Sequence, residues 1–246
     1  MWCTQSQLTI NISKCAVLHL GRFNSFFQYY LAGSPLPNPS TMSDLGVLVD
    51  KSLTFSPHIS SIVSKARARC AIFLKRFISR DPYLMVKFFN IYVRPILEYN
   101  SSVWSPCSSM NINLIEGVQR YFTSKIAGCV TLPYQQRLTF LSLHSLNQRR
   151  LVTDLSTLSS LVSTRIDLPL LPRLIFLPPS STRGHNLRIL IPLNHYSSHD
   201  QNFISRTASI WNSLPPSIIS ASSTRILRHR LSEFILDPFI VNTISV

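Results

Sequence analysis

The sequence predicts an α+β fold: a small antiparallel sheet, then a helical bundle, then an irregular C-terminal segment that ends in a helix. Three observations predict it. Between Leu8 and Phe55 the apolar residues come in short runs divided by Gly, Pro and Asn. From Pro57 they recur every three or four residues, as a helix face requires. Between Ser163 and Pro192 that period is lost, and Pro169, Pro172, Pro178, Pro179 and Pro192 intervene.

The strand candidates are residues 15–20, 26–31 and 45–49, the last two separated by Gly33-Ser34-Pro35-Leu36-Pro37-Asn38-Pro39. Ser56 and Pro57 then supply an N-cap and a first-turn proline. Ile59, Ile62, Val63, Ala66, Cys70, Phe73, Leu74 and Phe77 mark the apolar stripe of a helix of about six turns. Lys65, Arg69 and Arg76 fall in a narrow sector beside that stripe at ~100° per residue. Arg67, Lys75 and Arg80 add charge, and no acid lies between Pro57 and Arg80.

Asp81-Pro82 repeats the cap signal and opens a second helix through Leu84, Met85, Phe88 and Tyr92, which Pro95 kinks or ends; Tyr99 and Trp104 continue its apolar face. A third helix is expected over 113–127, with Glu116 three residues after an Asn113 cap and Gly128 as the stop. Residues 133–162 fit a short helix and a longer one carrying Leu151, Leu155, Leu158 and Val162, and a last helix spans roughly 222–236. The expected divisions are a strand segment over 1–55, a helical domain over 56–163, and a proline-rich connection with a C-terminal helical segment over 164–246.

With 246 residues, 45% of them hydrophobic, the chain is long enough to bury a substantial core. Its 24 Lys+Arg against 10 Asp+Glu give a formal charge of +14, which favours a polyanionic partner, nucleic acid first. No run approaches the ~18 apolar residues of a membrane-spanning helix, so no membrane association is expected. The start has no cationic head followed by an apolar run, so a cytoplasmic or nuclear location is expected rather than secretion. Cys3, Cys15, Cys70, Cys107 and Cys129 are an odd set with irregular spacing, which suits reduced thiols.

Phosphoryl transfer by two divalent metals needs closely placed carboxylates. The acids here are scattered; the nearest pairs, Asp44/Asp50 and Glu233/Asp237, suit turn, cap or surface roles. His195 and His199 have a helical ligand spacing but no cysteine pair to complete a zinc site. There is no Gly-rich phosphate loop and no Gly-x-Ser-x-Gly elbow. Tyr92, Tyr99, Trp104 and Trp211 stand at spacings that favour core packing over stacking on bases. The nucleic-acid contacts expected are Lys65, Arg69 and Arg76, then Arg149 and Arg150, with Arg225, Arg228 and Arg230 behind them. Arg94, amid apolar residues, is expected to pair internally with Glu98 or a carbonyl.

Several runs carry a resemblance. They include Asp44-Leu45-Gly46-Val47, Leu53-Thr54-Phe55-Ser56-Pro57-His58-Ile59, and above all Tyr92-Val93-Arg94-Pro95-Ile96-Leu97-Glu98-Tyr99 with Val103-Trp104-Ser105-Pro106 behind it. Ile115-Glu116-Gly117-Val118-Gln119-Arg120, Leu146-Asn147-Gln148-Arg149-Arg150-Leu151, Arg183-Gly184-His185 and Trp211-Asn212-Ser213-Leu214-Pro215 follow in order. Together they resemble the region after the catalytic strands in reverse transcriptases of non-LTR retrotransposons, of the jockey-like and chicken-repeat-like clades. The family often has an acid near Asn147 and Gln148 and an aromatic-Lys pair near Ser159 and Ser160, and this chain departs from both.

That resemblance implies that residues 15–55 are the last strands of a polymerase palm and that the helices from Pro57 form the thumb. The implied partners are an RNA–DNA or DNA template-primer duplex and the rest of the polymerase chain. The family's catalytic aspartates are expected upstream of Met1, which implies a truncated RNA-directed DNA polymerase, inactive on its own. No cofactor is expected here, since Mg²⁺ would serve only the intact parent enzyme. The competing expectation is a helical protein-interaction or structural module, or a relic of a transposon.

Overall fold

The computed structural model describes residues 5–7, 10–21, 24–164, 174–178, 185–191 and 202–234. It divides into two compact units, Met1–His58 and Ile59–Val246. With strands in the first and helices in the second, the fold is α+β, as the sequence predicts.

The first unit holds two antiparallel hairpins. β1 (Tyr30–Leu31) pairs with β2 (Ser34–Pro35), and β3 (Thr41–Asp44) with β4 (Val47–Asp50), in the register Thr41↔Asp50 to Asp44↔Val47. Each hairpin turns on two residues with positive φ, Ala32 and Gly33 at 49° and 79°, Leu45 and Gly46 at 44° and 83°. That geometry follows the right-handed twist of the strands it joins, and the glycine occupies it without strain.

The turn chemistry corrects the expected strands. Leu45 and Gly46 belong to a turn, and the partner of β4 is the polar run Thr41–Asp44. Residues 15–20 form no ladder and are joined by single bonds such as Val17 N–H to the Pro37 carbonyl at 2.9 Å. Pro35, Pro37 and Pro39 withhold the donors that a continuous sheet would need. Asp50 instead ties the chain after β4, accepting from Ser52 N–H, Thr54 N–H, Thr54 Oγ1 and Phe55 N–H at 3.3, 3.2, 3.1 and 2.7 Å.

Helix α1 spans Ser56–Arg76. Ile59, Ile62, Val63, Ala66, Cys70 and Phe73 of its stripe are buried, while Phe77, just past its end, is half exposed. Arg80 closes this helix by donating to the carbonyls of Leu74 at 2.9 Å and of Phe77. Asp81 caps α2 (Pro82–Phe88) by accepting from Leu84 N–H at 2.9 Å. Pro95 does not end the rod. A single π turn, Phe89–Val93, leads into α3 (Arg94–Glu98), and Arg94 N–H reaches back to the Phe89 carbonyl. The wider turn accommodates a proline that offers no N–H and whose ring crowds the carbonyl of an ordinary helix. The short α4 (Ser101–Trp104) follows, with Trp104 Nε1–H bonded to the Tyr99 carbonyl at 2.8 Å.

Helix α5 (Ser109–Thr123) starts four residues earlier than the sequence suggests, capped by Ser108, and ends short of Gly128. Glu116 is therefore mid-helix and buried. It caps another helix: Leu146 and Asn147 N–H donate to its carboxylate at 3.3 Å each, at the head of α7 (Leu146–Thr164). Tyr134, opening α6 (Tyr134–Phe140), gives its hydroxyl to the same carboxylate.

Beyond α7, residues 165–173, 179–184, 192–201 and 235–246 lie outside those described. The described remainder is more regular than its proline content suggests. Helices α8 (Phe203–Ser213), α9 (Pro216–Ile219) and α10 (Thr224–Glu233) stand where one terminal helix was expected. Leu155, Leu158 and Val162 of α7 share a core with Ala208, Trp211, Leu227 and Leu231. An antiparallel bridge, Phe176↔Ile189, lies beside it. Trp211 Nε1–H bonds the Leu187 carbonyl at 2.8 Å, and the Asn212 amide meets both the N–H and the carbonyl of Ile189 at 2.8 Å. His185 Nε2 lies 3.0 Å from the Trp211 carbonyl, so the Trp-Asn and His motifs read from the sequence are packing devices here.

Candidate nucleic-acid interface

The interface begins with the division of α1 into two faces. Its apolar stripe fills the core, and Lys65, Arg69 and Arg76 project into solvent from one sector. At ~1.5 Å rise per residue they cover about 16 Å of helix. Lys75 and Arg76 sit in the last turn, where a cation also meets the negative end of the helix dipole. Arg67 leans elsewhere: its Nη2 would lie 3.7 Å from a Cβ placed at Gly117 of α5.

The other predicted contacts are rearranged by burial. Arg149 grips Glu98 through Nε at 2.5 Å and Nη2 at 3.0 Å. Arg94, as expected, faces the same carboxylate at 3.8 Å and bonds Asn90 Oδ1 at 2.8 Å. Arg150 is 1% exposed, so it cannot reach a phosphate in this fold and leaves the candidate set. Its Nη2 lies 3.4 Å from Asn147 Oδ1, and its Nε and Nη1 have no hydrogen-bond partner. Burial lowers its affinity for its proton, and Glu116, Asp154 and Glu98 oppose that by their charge.

The interior draws in the acids as well. Asp154 is buried and paired with Arg206 at 3.1 Å; burial raises its carboxyl above the usual range, against the pull of that guanidinium. Arg206 also donates to the Ser102 carbonyl, joining α4, α7 and α8. Burial and the neighbouring Glu116 push the Tyr134 hydroxyl upward, which keeps it a donor. Asp50 and Glu116 are buried, Asp81 caps a helix and Glu98 is held by Arg149. The cations of α1 therefore face outward without acids on their own helix.

The predicted aromatics divide. Trp104 and Trp211 are buried, whereas Tyr92 and Tyr99 are more than half exposed. Sequence reasoning missed Tyr83 and Lys87, both exposed on α2, where Lys87 Nζ lies 5.7 Å from the Tyr83 ring centre. Their i, i+4 spacing was the available signal. On α10, Arg225 and Arg228 are exposed and Arg230 is anchored to the Ser217 carbonyl.

Among the described residues no three His, Cys, Asp or Glu side chains converge as metal ligands. Asp44 and Asp50 stand at opposite ends of one hairpin. Glu233 pairs with His229 at 3.4 Å, while Asp237, His195 and His199 lie outside the described residues. Among the described residues no helix is long and apolar enough to cross a membrane.

Three known proteins share parts of this sequence. An uncharacterized protein of Caenorhabditis elegans is 27% identical over 131 residues, 52% of this chain and 66% of that protein. A probable RNA-directed DNA polymerase from transposon X-element of Drosophila melanogaster is 30% identical over 103 residues, 41% of this chain and 11% of the polymerase. The RNA-directed DNA polymerase from mobile element jockey of Drosophila funebris is 28% identical over 131 residues, 52% of this chain and 14% of the polymerase. No family model matches the chain, and no solved structure matches it significantly. Over about half its length the chain thus bears a distant, partial similarity to the reverse transcriptases of jockey and X-element retrotransposons, and it spans only a small part of their length.

Proposed function

We propose that the helical unit grips nucleic acid by its phosphates, as the thumb-like part of a retrotransposon reverse transcriptase, and that DNA synthesis belongs to a longer polymerase. One observation carries the first part: Lys65, Arg69 and Arg76 form an exposed row on a helix whose other side is core and which bears no acid. The partial similarity to RNA-directed DNA polymerases supports the nature of the polyanion. By the same reading, the hairpins before α1 are late-palm strands.

Each phosphate contact releases a condensed counterion, so removing three should flatten the log-log salt dependence of binding by about 2 to 3. The test is a salt titration of the intact chain on a template-primer duplex, beside Lys65→Gln/Arg69→Gln/Arg76→Gln. An unchanged slope, or no binding by the parent chain at low salt, defeats the reading. Supplied with a primed template and Mg²⁺, the chain is expected to incorporate no nucleotide. Incorporation that one Asp→Asn or Glu→Gln change abolishes would place catalysis in these residues instead.

A further inference from the structure

Between α1 and α2 four aromatic rings form a continuous ladder. Phe77 stacks on Phe73 with centres 4.5 Å apart and planes 22° apart. Phe73 stacks on Phe88 at 3.5 Å and 18°, and Phe88 on Tyr92 at 5.3 Å and 29°. The inner ring Phe73 is buried, but the end rings are not: Phe77 is 49% exposed and Tyr92 52%. Each end is therefore an aromatic surface already ordered by the ring behind it, so a ligand that stacks there does not first have to immobilise a side chain.

The surroundings are of one sign. Lys75 and Arg76 directly precede Phe77, and Lys87 lies on α2 between Tyr83 and Tyr92, all exposed. The acids of this stretch are engaged, Asp81 as the cap of α2 and Glu98 by Arg149. An apolar face meant for a polypeptide has no need of unopposed cations beside its rings. A duplex supplies phosphates but keeps its base faces stacked inside. A single strand offers both phosphates and open π faces.

We infer that this surface takes single-stranded nucleic acid, its bases stacking on Phe77 and Tyr92 while Arg76 and Lys87 hold the flanking phosphates. The inference rests on the phosphate-gripping reading above and adds to it a preference for the unpaired strand.

The test uses the intact chain with three probes: a labelled oligouridylate, the corresponding duplex, and heparin, which has charge but no bases. Phe77→Leu/Tyr92→Leu should weaken oligouridylate binding by about tenfold or more and leave duplex and heparin binding unchanged, given the usual worth of base stacking. Phe77→Tyr/Tyr92→Phe, which keeps both rings, should bind the oligonucleotide like the parent. Equal losses on all three probes, or no loss on any, overturn the inference. If the parent binds duplex and heparin as tightly as the single strand, the stacking reading falls and the phosphate reading stands; if it binds none of them at low salt, both fall. Should the leucine pair fail to fold by circular dichroism, Tyr92→Trp serves instead. Its indole emission should be quenched by oligouridylate and not by heparin, and the absence of quenching overturns the stacking.

Discussion

Arg149 and Arg150 are neighbours in the chain and ~100° apart around α7. That rotation separates a partly exposed, bidentate ion pair from a guanidinium enclosed by protein. Arg150→Met removes the buried cation whose charge opposes that of Glu116, while Asp154 keeps Arg206, and is expected to cost about 1 to 3 kcal/mol in urea unfolding. Arg149→Met, at a half-open pair, should cost about 1 kcal/mol or less. Neither should alter the salt dependence of nucleic-acid binding, and a binding loss at full stability would return Arg150 to the interface. In the sequence the two are indistinguishable, because a Leu-Asn-Gln-Arg-Arg-Leu run shows charge without showing which side of the helix finds a carboxylate. Cys70 gives a pH test. Burial raises its thiol from 9.0 to about 12, so above pH 9 the unfolded chain loses a proton that the folded chain keeps. Stability should then fall as pH rises from about 9 to 12, by up to ~1.4 kcal/mol per pH unit from this group. Cys70→Ala should remove that share of the slope in alkaline unfolding curves.

The π turn before Pro95 gives the helical rod from Asp81 to Glu98 one residue more than an α ladder needs. Deleting Ile91, which is exposed, would restore the ordinary ladder and press the proline ring against a helix carbonyl. A loss of about 3 kcal/mol is expected in thermal unfolding, with part regained on adding Pro95→Ala. If the deletion is silent, the proline is not what the wide turn serves. Elements announced by a strong local pattern, such as α1 with its stripe and Asp81-Pro82 at α2, were legible in the sequence. Those fixed by distant partners were not. Ser108 rather than Asn113 caps α5, because Glu116, which looked like the answering half of a capping box, is turned inward to α7. Likewise Leu45 read as a strand residue, although Gly46 behind it marks a turn. Helix α8 was missed because its reason for existing is the shared core with α7.

Across the whole molecule, the α+β order and the basic helix face could be read from composition and periodicity. The partition of charge between interior and surface could not. Among the described residues Asp50, Glu116 and Asp154 are buried, and Glu98 and Asp81 are committed to Arg149 and a helix end. Arg137 and Arg150 are buried too, so the interior takes both signs and the formal +14 is carried by the surface rather than cancelled within. Such a surface has few anions of its own to answer its cations, and ions from the medium must do so. Dilute buffer should be the least hospitable setting: the melting temperature is expected to climb as simple salt is added, where a protein laced with exposed ion pairs would show little change or a decline. The electrolyte around this chain then acts as a structural component, one that the proposed polyanion would displace and replace.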